Sequence, residues 1–188
     1  MKKKLLLLLL ITMIFVSGCS IKKVEDLSPA EKFSKEYSVP KDNAFKYISI
    51  DEVLKIIREG TGIIFFGNSD SELSTKTVKL FSEAIKDSKL KDVVVYYYNP
   101  LVIRDNKTDK YMELVNELAD YLKVDEDMQE YLFIPDIYFI RDGKVVSHSK
   151  DMIVNSTEES DSLDDEDAKI KNKYIKLLKE YYEENTNA

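Results

Sequence analysis

The chain has 188 residues and a net charge of −7, from 28 lysines and arginines against 35 aspartates and glutamates. This acidic balance argues against nucleic acid, or an anionic lipid surface, as a direct binding partner. The apolar fraction of 44%, which includes 12 Tyr and 8 Phe, argues against a disordered chain, and the length suits one domain with a sizeable core.

The N-terminal segment has the features of an export signal. Lysines at positions 2–4 precede an apolar run over residues 5–16, and Val16-Ser17-Gly18-Cys19 closes the segment. An apolar run of about twelve residues is too short to span a bilayer, which needs roughly twenty. A basic start, a short apolar stretch and small residues before the cleavage point are typical of secretory signals. We therefore predict a signal peptide over residues 1–18.

Cys19 is the only cysteine in the chain, so the folded part has no pair of thiols for a disulfide. The motif Val16-Ser17-Gly18-Cys19 resembles the bacterial lipobox, which implies that Cys19 is acylated and becomes the mature N-terminus. An ordinary secretory signal with an incidental cysteine is the alternative. Each buried CH₂ of an acyl chain contributes roughly 0.8 kcal/mol to membrane binding, so a diacylated Cys19 would anchor the protein stably.

We expect the mature protein on the extracytoplasmic face of a cell membrane, with the lipid bilayer as a partner through Cys19. The leader holds three of the 28 basic residues and none of the 35 acidic ones, so the mature chain would have a net charge of −10. The frequent use of Lys, Asn and Ile suggests a low-GC Gram-positive bacterium.

Residues 19–46 are predicted to be a lipid-anchored tether that contains a short helix. Ser28-Pro29-Ala30-Glu31 places Ser at the N-cap, Pro in the first turn and Glu three residues after the cap, which is a helix-start pattern. Pro40 ends this helix. Ser49-Ile50-Asp51-Glu52 repeats the capping box, and the helix that follows it ends at Gly60.

The middle of the chain alternates between strand and helix patterns. A continuous apolar run between Gly62 and Gly67 is typical of a buried strand, and an amphipathic helix over residues 73–85 follows it. Residues 93–98 are rich in β-branched and aromatic side chains, which predicts a central parallel strand. A third helix is predicted over residues 112–122.

The last third of the chain predicts a hairpin and a final helix. A strand over residues 136–140 leads into a tight turn at Arg141-Asp142-Gly143-Lys144, because Asp-Gly favours a type I′ turn, and a second strand follows at 145–149. Residues 155–167 are predicted to be a solvated acidic loop, since they lack the spacing and the glycine of an EF-hand calcium loop. An apolar stripe over residues 170–181 predicts the C-terminal helix.

This order of elements predicts an α/β fold. Parallel strand–helix–strand units followed by an antiparallel hairpin indicate a three-layer domain, with a central mixed sheet of four to five strands and helices on both faces. The domain is expected to span residues 47–188.

The same order resembles the thioredoxin fold over roughly residues 47–183. Ile134-Pro135 before a strand, followed by the hairpin turn at Asp142-Gly143-Lys144, is similar to the cis-proline strand and hairpin of thioredoxins. Phe65-Phe66-Gly67-Asn68-Ser69-Asp70 before a helix is similar to the strand and loop that carry the CxxC dithiol in thioredoxin-like proteins linked to bacteriocin export. The resemblance implies a groove for an extended substrate beside Ile134 and Pro135.

The chain departs from that family where the sulfur atoms should lie. The resemblance places the two CxxC cysteines at Ser71 and Ser74, and a register shifted by one residue would place them at Asp70 and Leu73. Neither register supplies a thiol. The buried acid of thioredoxins would fall near Ile64, so it is missing as well.

A further departure concerns a single residue. The residue after the proline is Asp136 where the family usually has Thr. The hydroxyl groups near the expected dithiol also have an ordinary structural role, since either Ser69 with Glu72 or Ser71 alone could cap the following helix.

The sequence therefore predicts a lipoprotein that binds rather than catalyses. Disulfide exchange needs a thiolate and a resolving thiol, and a serine hydroxyl is a poor nucleophile without an activating base. We expect no catalytic residue, no cofactor and no metal site, because the single histidine, His148, cannot supply a zinc ligand set. The predicted partner is an exported protein or peptide held in the groove at Pro135 and Ser71.

Alternatives to this hypothesis remain open. The chain could belong to a thiol-disulfide oxidoreductase family in which serines replace the catalytic cysteines, or it could be an accessory or immunity protein for a secreted peptide toxin. The stretch Leu101-Val102-Ile103 either forms an exposed apolar patch for a partner or is buried under the third helix.

Overall fold

The computed structural model of the chain describes residues 27–124, 130–149 and 163–184. The predicted signal peptide, Cys19 and most of the acidic loop lie outside the described residues. Within the described ranges the helices are α1 (Pro29–Tyr37), α2 (Ile50–Glu59), α3 (Glu72–Ser88), α4 (Leu101–Asp105), α5 (Asp109–Leu118) and α6 (Leu163–Glu184). The strands are β1 (Phe45–Tyr47), β2 (Gly62–Phe66), β3 (Val95–Tyr98), β4 (Lys123–Val124), β5 (Glu130–Tyr131), β6 (Asp136–Arg141) and β7 (Lys144–His148).

Five of these strands form one mixed sheet in the order β1-β3-β2-β6-β7. The first three are parallel, and β6 runs antiparallel to both β2 and β7. Strands β4 and β5 form a separate two-stranded sheet. Each pair of consecutive parallel strands is joined through a helix, β1 to β2 through α2 and β2 to β3 through α3, as the strand–helix–strand pattern requires.

Two hydrophobic clusters cover the two faces of the sheet. The first cluster is formed by α1, α3 and α6, whose buried side chains include Phe33, Phe81 and Tyr174. The second is formed by α2 and α5, with Leu54 and Leu114 among its members. These three layers confirm the predicted α/β class, with five strands in the main sheet, and the strand order is compatible with a thioredoxin-like layout.

The folded domain begins before residue 47, which corrects the predicted boundary of the tether. The short helix is present as α1, but Phe33 and Tyr37 are buried at 0% and 1% exposure. Phe33 stacks on Phe45 of β1 with ring centroids 4.3 Å apart. Aromatic rings of this size dominate a core when buried, so α1 and β1 belong to the domain and not to a tether.

The predicted third helix corresponds to α5, which begins and ends earlier than predicted. It spans Asp109–Leu118 and passes into a 3₁₀ turn, Ala119–Tyr121. Tyr111 and Leu114 face the core, whereas Met112 is 51% exposed. Thr108 caps the helix by accepting a hydrogen bond from the amide of Tyr111, which fixes a register that the apolar pattern alone did not reveal.

The turn between β6 and β7 has the predicted geometry. Asp142 and Gly143 both have positive φ, at 48° and 71°, as a type I′ turn requires. A side chain at Gly143 would meet the backbone carbonyl of Arg58, and the amide of Gly143 donates to Gly60 O at 2.8 Å. The turn therefore packs directly on the end of α2, where only glycine fits.

Candidate functional site

The residues of the predicted groove lie at the edge of the sheet where β2 and β3 end and β6 begins. Phe66 pairs with Asp136 in the antiparallel register, so Gly67 and Pro135 are the next residues outward. The Ile134–Pro135 peptide bond is cis, and Pro135 is buried. The carboxyl ends of parallel strands are the usual location of binding sites in open α/β sheets.

Ser71 and Ser74 lie at the start of α3, and both hydroxyl groups accept hydrogen bonds from backbone amides. Ser71 is the N-cap residue, and its hydroxyl accepts from Ser74 N at 3.3 Å. Ser74 is fully buried, and its hydroxyl accepts from Asn68 N at 3.2 Å. Of the two caps that the sequence allows, the helix uses Ser71. Both serines thus satisfy backbone groups of the turn that joins β2 to α3.

Two asparagines connect the loops after β2 and β3. The side-chain amide of Asn99 donates to Asn68 Oδ1 at 3.4 Å, and the same oxygen accepts from the amide of Asp70 at 3.3 Å. Asn99 Oδ1 accepts from the amide of Leu101 at 3.1 Å. The sequence analysis missed this pair, because Asn in a loop is common and 31 residues separate the two side chains.

Asp136 is the most deeply buried carboxylate at this edge, with 1% exposure. Its Oδ1 accepts three hydrogen bonds, from Ile137 N at 2.8 Å, Ser149 N at 3.0 Å and Ser149 Oγ at 3.1 Å. His148 Nδ1 lies 3.1 Å from Oδ2. A buried carboxylate is tolerated only where its oxygens are satisfied in this way, so the network ties the end of β7 to the start of β6.

The ring of His148 is held on three sides. It stacks on Tyr138 with centroids 5.3 Å apart and an interplanar angle of 17°, and it meets the edge of Tyr121 at 5.7 Å. With Nδ1 against Asp136, the side chain remains 23% exposed. His148 is thus partly exposed in a strand, and it also has a buried carboxylate partner that the sequence analysis did not assign.

The phenols around this network have raised pKa values. Burial is the main cause for Tyr138, and the charge of Asp136 and a hydrogen bond to its carboxylate raise the pKa further. Tyr174 reaches the network from α6, and burial is also the main cause of its raised pKa. The charge of Asp136 raises this pKa further, whereas the Ser149 and Thr77 hydroxyls lower it in part. The phenols are therefore neutral at physiological pH. The hydroxyl of Tyr174 is buried without a hydrogen-bond partner among the described residues.

Ile64 stands where the resemblance would place a buried acid. Ile64 is fully buried in β2 and pairs with Tyr138 of β6. Asp136 lies two residues before Tyr138 in β6, so this sheet does contain a buried carboxylate, on the strand next to the expected one. The sequence signal was the aspartate directly after the proline, where the resemblance would place Thr, and its role becomes visible only with its partner His148.

The apolar stretch at residues 101–103 is neither wholly exposed nor wholly buried. It forms the start of α4, in which Val102 is 71% exposed while Ile103 packs against the second hydrophobic cluster. The side-chain contact between Asn68 and Asn99 places α4 directly beside the loop that precedes Ser71. One exposed apolar side chain therefore borders the site.

A cleft with a volume of about 410 Å³ runs along the N-terminal half of α3 towards α6. Its lining residues are Ser69, Asp70, Glu72, Thr75, Lys76, Lys79, Leu80 and Asp167. Lys76 Nζ lies 2.7 Å from Asp167 Oδ1, which bridges the two helices across the cleft. Polar and charged residues supply most of the lining, but the surface that they present to the cleft is mainly apolar. The cleft borders Ser71, while Pro135 lies outside it.

Other possible kinds of site are limited within the described part of the chain. No group of three His, Cys, Asp or Glu side chains there could hold a metal ion. In the same residues, none of the helices combines the length and the apolar character needed to cross a bilayer. No protein-family model, curated protein or solved structure matches this chain.

Proposed function

We propose that the protein is an extracytoplasmic, membrane-anchored lipoprotein that binds an extended segment of an exported protein or peptide and carries out no thiol chemistry. The observation that carries this proposal is the pair of hydrogen bonds that the Ser71 and Ser74 hydroxyl groups accept. Both hydroxyl groups accept backbone hydrogen bonds at the start of α3, where the resemblance to thioredoxin-like proteins implies a dithiol. Neither position has a sulfur atom that could attack a disulfide.

Activation of either serine as a nucleophile would require a base within hydrogen-bond reach. The hydrogen bonds of Ser71 and Ser74 go to Ser74 N and Asn68 N. The imidazole of His148 is instead directed to Asp136 through Nδ1 and stacked on Tyr138. This arrangement favours structural roles for both serines and supports binding over hydrolysis.

A binding role suits the shape of the edge. The loops after β2 and β3 and the Ile134-Pro135 segment meet there, and the exposed side chain of Val102 borders them. An extended segment can use its backbone for hydrogen bonds and its side chains for pockets, so binding does not require the lost dithiol. The lipid on Cys19 would hold the protein where exported chains emerge.

Site-specific photocrosslinking tests the proposal in cells that produce the protein. A photoreactive residue in place of Val102 or Ser69 should give adducts with one or a few exported proteins. The same residue in place of Lys144, an exposed residue at the opposite end of the sheet, is the matched control. Equal adducts at all three positions, or turnover of a disulfide substrate by the purified protein, would contradict the proposal.

Membrane attachment is tested separately. The Cys19→Ala variant should lose incorporation of labelled palmitate and should leave the membrane fraction, while the wild type remains there. A wild-type chain that incorporates no lipid would contradict the lipoprotein part of the proposal and leave the binding part standing.

The second candidate function is membership of an oxidoreductase family that lost its cysteines, and the geometry of α3 favours it. Ser71 is the N-cap and Ser74 lies three residues later, which is the spacing of a CxxC pair at a helix N-terminus. A helix N-terminus lowers the pKa of a thiol. If the scaffold is still competent, Ser71→Cys with Ser74→Cys should form a disulfide and reduce insulin in the presence of dithiothreitol. Ser69→Cys with Ser74→Cys is the control with the wrong spacing.

A further inference from the structure

A small cavity with a volume of about 170 Å³ lies at the end of the sheet opposite Pro135, where β2 and β3 begin. Three tyrosines line it: Tyr96 from β3, and Tyr181 and Tyr182 from the last turns of α6. Asp92, in the loop before β3, and Gly62, the first residue of β2, also line it, together with Thr61, Ile63 and Val94. Aromatic rings and a carboxylate thus converge from two segments of the chain that are distant in sequence.

The rings are fixed in place by contacts with one another and with the neighbouring strands. Tyr181 and Tyr182 are nearly perpendicular, with an interplanar angle of 85° and centroids 5.4 Å apart. The Tyr181 hydroxyl donates to Ile140 O at 2.7 Å. A Cβ atom at Gly62 would lie 2.9 Å from Cε2 of Tyr96, so the absence of a side chain there leaves the room that the third ring occupies. The walls of the cavity are therefore preformed.

The charges around the cavity favour a cation. Burial raises the pKa of Tyr182, a backbone hydrogen bond to Val94 lowers it, and Tyr96 and the carboxylate of Asp92 raise it again. The guanidinium of Arg141 lies over the ring of Tyr181, 5.3 Å from its centroid, so this ring already has a positive charge against it. The charge of Arg141 lowers the pKa of Tyr181 and that of Asp142 raises it. Asp92 adds one carboxylate to the wall of the cavity.

We propose that this cavity binds a small organic cation of the quaternary ammonium class. Electron-rich faces of tyrosine rings attract such a cation, and the attraction grows when the site is desolvated. The volume is well below the roughly 300–1,000 Å³ of pockets for drug-sized ligands, so it accepts a head group and not a large molecule. Metal cations fit less well, because Ca²⁺ takes six to eight oxygen ligands and the cavity offers one carboxylate.

The test is an NMR titration of the full chain in maltoside micelles with choline and, separately, with 3,3-dimethyl-1-butanol. The alcohol has the shape of choline without its charge. We expect saturable shifts of the Gly62 and Tyr96 amide signals with choline, and an affinity for the alcohol that is about ten-fold weaker or less. Equal affinities for the two compounds, or shifts confined to other parts of the protein, would overturn the proposal.

Two variants separate the role of the ring from the role of the charge. Tyr182→Leu should weaken choline binding about ten-fold, whereas Tyr182→Phe should keep it within about three-fold, since the ring face remains. Asp92→Asn should weaken binding several-fold without changing the affinity for the alcohol. If Tyr182→Leu fails to fold, Asp92→Asn and the comparison of the two compounds on the wild type still decide the question, and unchanged binding in Asp92→Asn counts against the proposal.

Discussion

The carboxylate of Asp136 holds the imidazole of His148 through Nδ1, at 3.1 Å, across the β6–β7 hairpin. The carboxylate is 1% exposed and the histidine side chain 23% exposed, so the pair runs from the core towards the surface. Asp136 directly follows Pro135 in the chain, so the pair lies at the edge that we propose as a binding site. A substitution at either residue therefore tests both the stability of the hairpin and the shape of the site.

Asp136→Ala should lower the free energy of unfolding by about 3 kcal/mol, because it removes a buried carboxylate that accepts three hydrogen bonds and pairs with His148. The three donors are Ile137 N and the amide and hydroxyl of Ser149. The two amides keep Ser149 Oγ and Ile137 O as second acceptors, whereas the hydroxyl loses its acceptor. Urea denaturation measures the change, with Asp142→Asn, an exposed turn residue, as the control expected within about 0.5 kcal/mol of wild type. A loss below 1 kcal/mol for Asp136→Ala would show that the network contributes little.

The imidazole ¹⁵N signals of His148 provide a second measurement on the same pair. Donation to the Asp136 carboxylate requires a proton on Nδ1, so the ring should show a protonated Nδ1 in the wild type. In Asp136→Asn this preference should weaken, since the amide can present a donor in place of the carboxylate oxygen. An unchanged tautomer would contradict the assigned hydrogen bond.

Ser71→Ala should destabilise the protein by about 1 kcal/mol, the usual loss for an N-cap serine. Its hydroxyl accepts the hydrogen bond from Ser74 N that caps α3. Ser69→Ala is the matched control, because Ser69 is the alternative cap that the helix does not use, and its effect should stay within about 0.5 kcal/mol. Thermal or urea unfolding compares the two, and a larger loss for Ser69→Ala would reverse the assignment of the cap.

Local patterns predicted much of the fold correctly. The capping boxes at Ser28 and Ser49 each have both of the expected hydrogen bonds, and the Asp142-Gly143 turn has the expected positive φ angles. The apolar run between Gly62 and Gly67 is a central buried strand. Each of these features depends on residues within four positions of one another, where sequence spacing determines geometry.

The pairing of Asp136 with His148 could not be predicted in the same way. A regular hairpin closed at Arg141 and Lys144 would place Tyr138 opposite Ser147. The strands shift register between Phe139 and Ile140, so that Tyr138 pairs with His148 instead. A bulge of this kind re-aims side chains on one strand, and nothing in the local sequence marks its position. The burial of α1 was missed for a related reason, since Tyr37 also packs against Phe65 of β2 and Tyr97 of β3, which are distant in the chain.

Gly143→Ala should lower the free energy of unfolding by about 2 kcal/mol. The residue has a φ of 71°, which side chains other than glycine rarely adopt, and an added Cβ would meet the carbonyl of Arg58. Chemical denaturation measures the loss, and Lys144→Ala, at the neighbouring exposed position, should change stability by less than about 0.5 kcal/mol. A neutral Gly143→Ala would mean that the turn does not pack on α2.

The capping box of α1 predicts a stability contribution that disappears in acid. A hydrogen bond from the Lys41 ammonium, followed by those from the Ser28 backbone and hydroxyl, lowers the pKa of Glu31 from 4.5 to about 2. Because the folded-state pKa is the lower one, this contribution is fully present above pH 4.5 and is lost as the pH falls towards 2.

A ¹³C NMR titration of the Glu31 carboxyl group measures this pKa directly. Lys41→Gln should raise the pKa towards its ordinary value, because it removes the largest cause of the shift. The stability difference between wild type and Lys41→Gln should also narrow between pH 4.5 and pH 2, since protonated Glu31 no longer gains from the ammonium group. Lys32→Gln, which removes a neighbouring charge outside the capping box, is the control and should leave the pKa of Glu31 low. An ordinary pKa for Glu31 in the wild type would mean that Lys41 does not bind the carboxylate in solution.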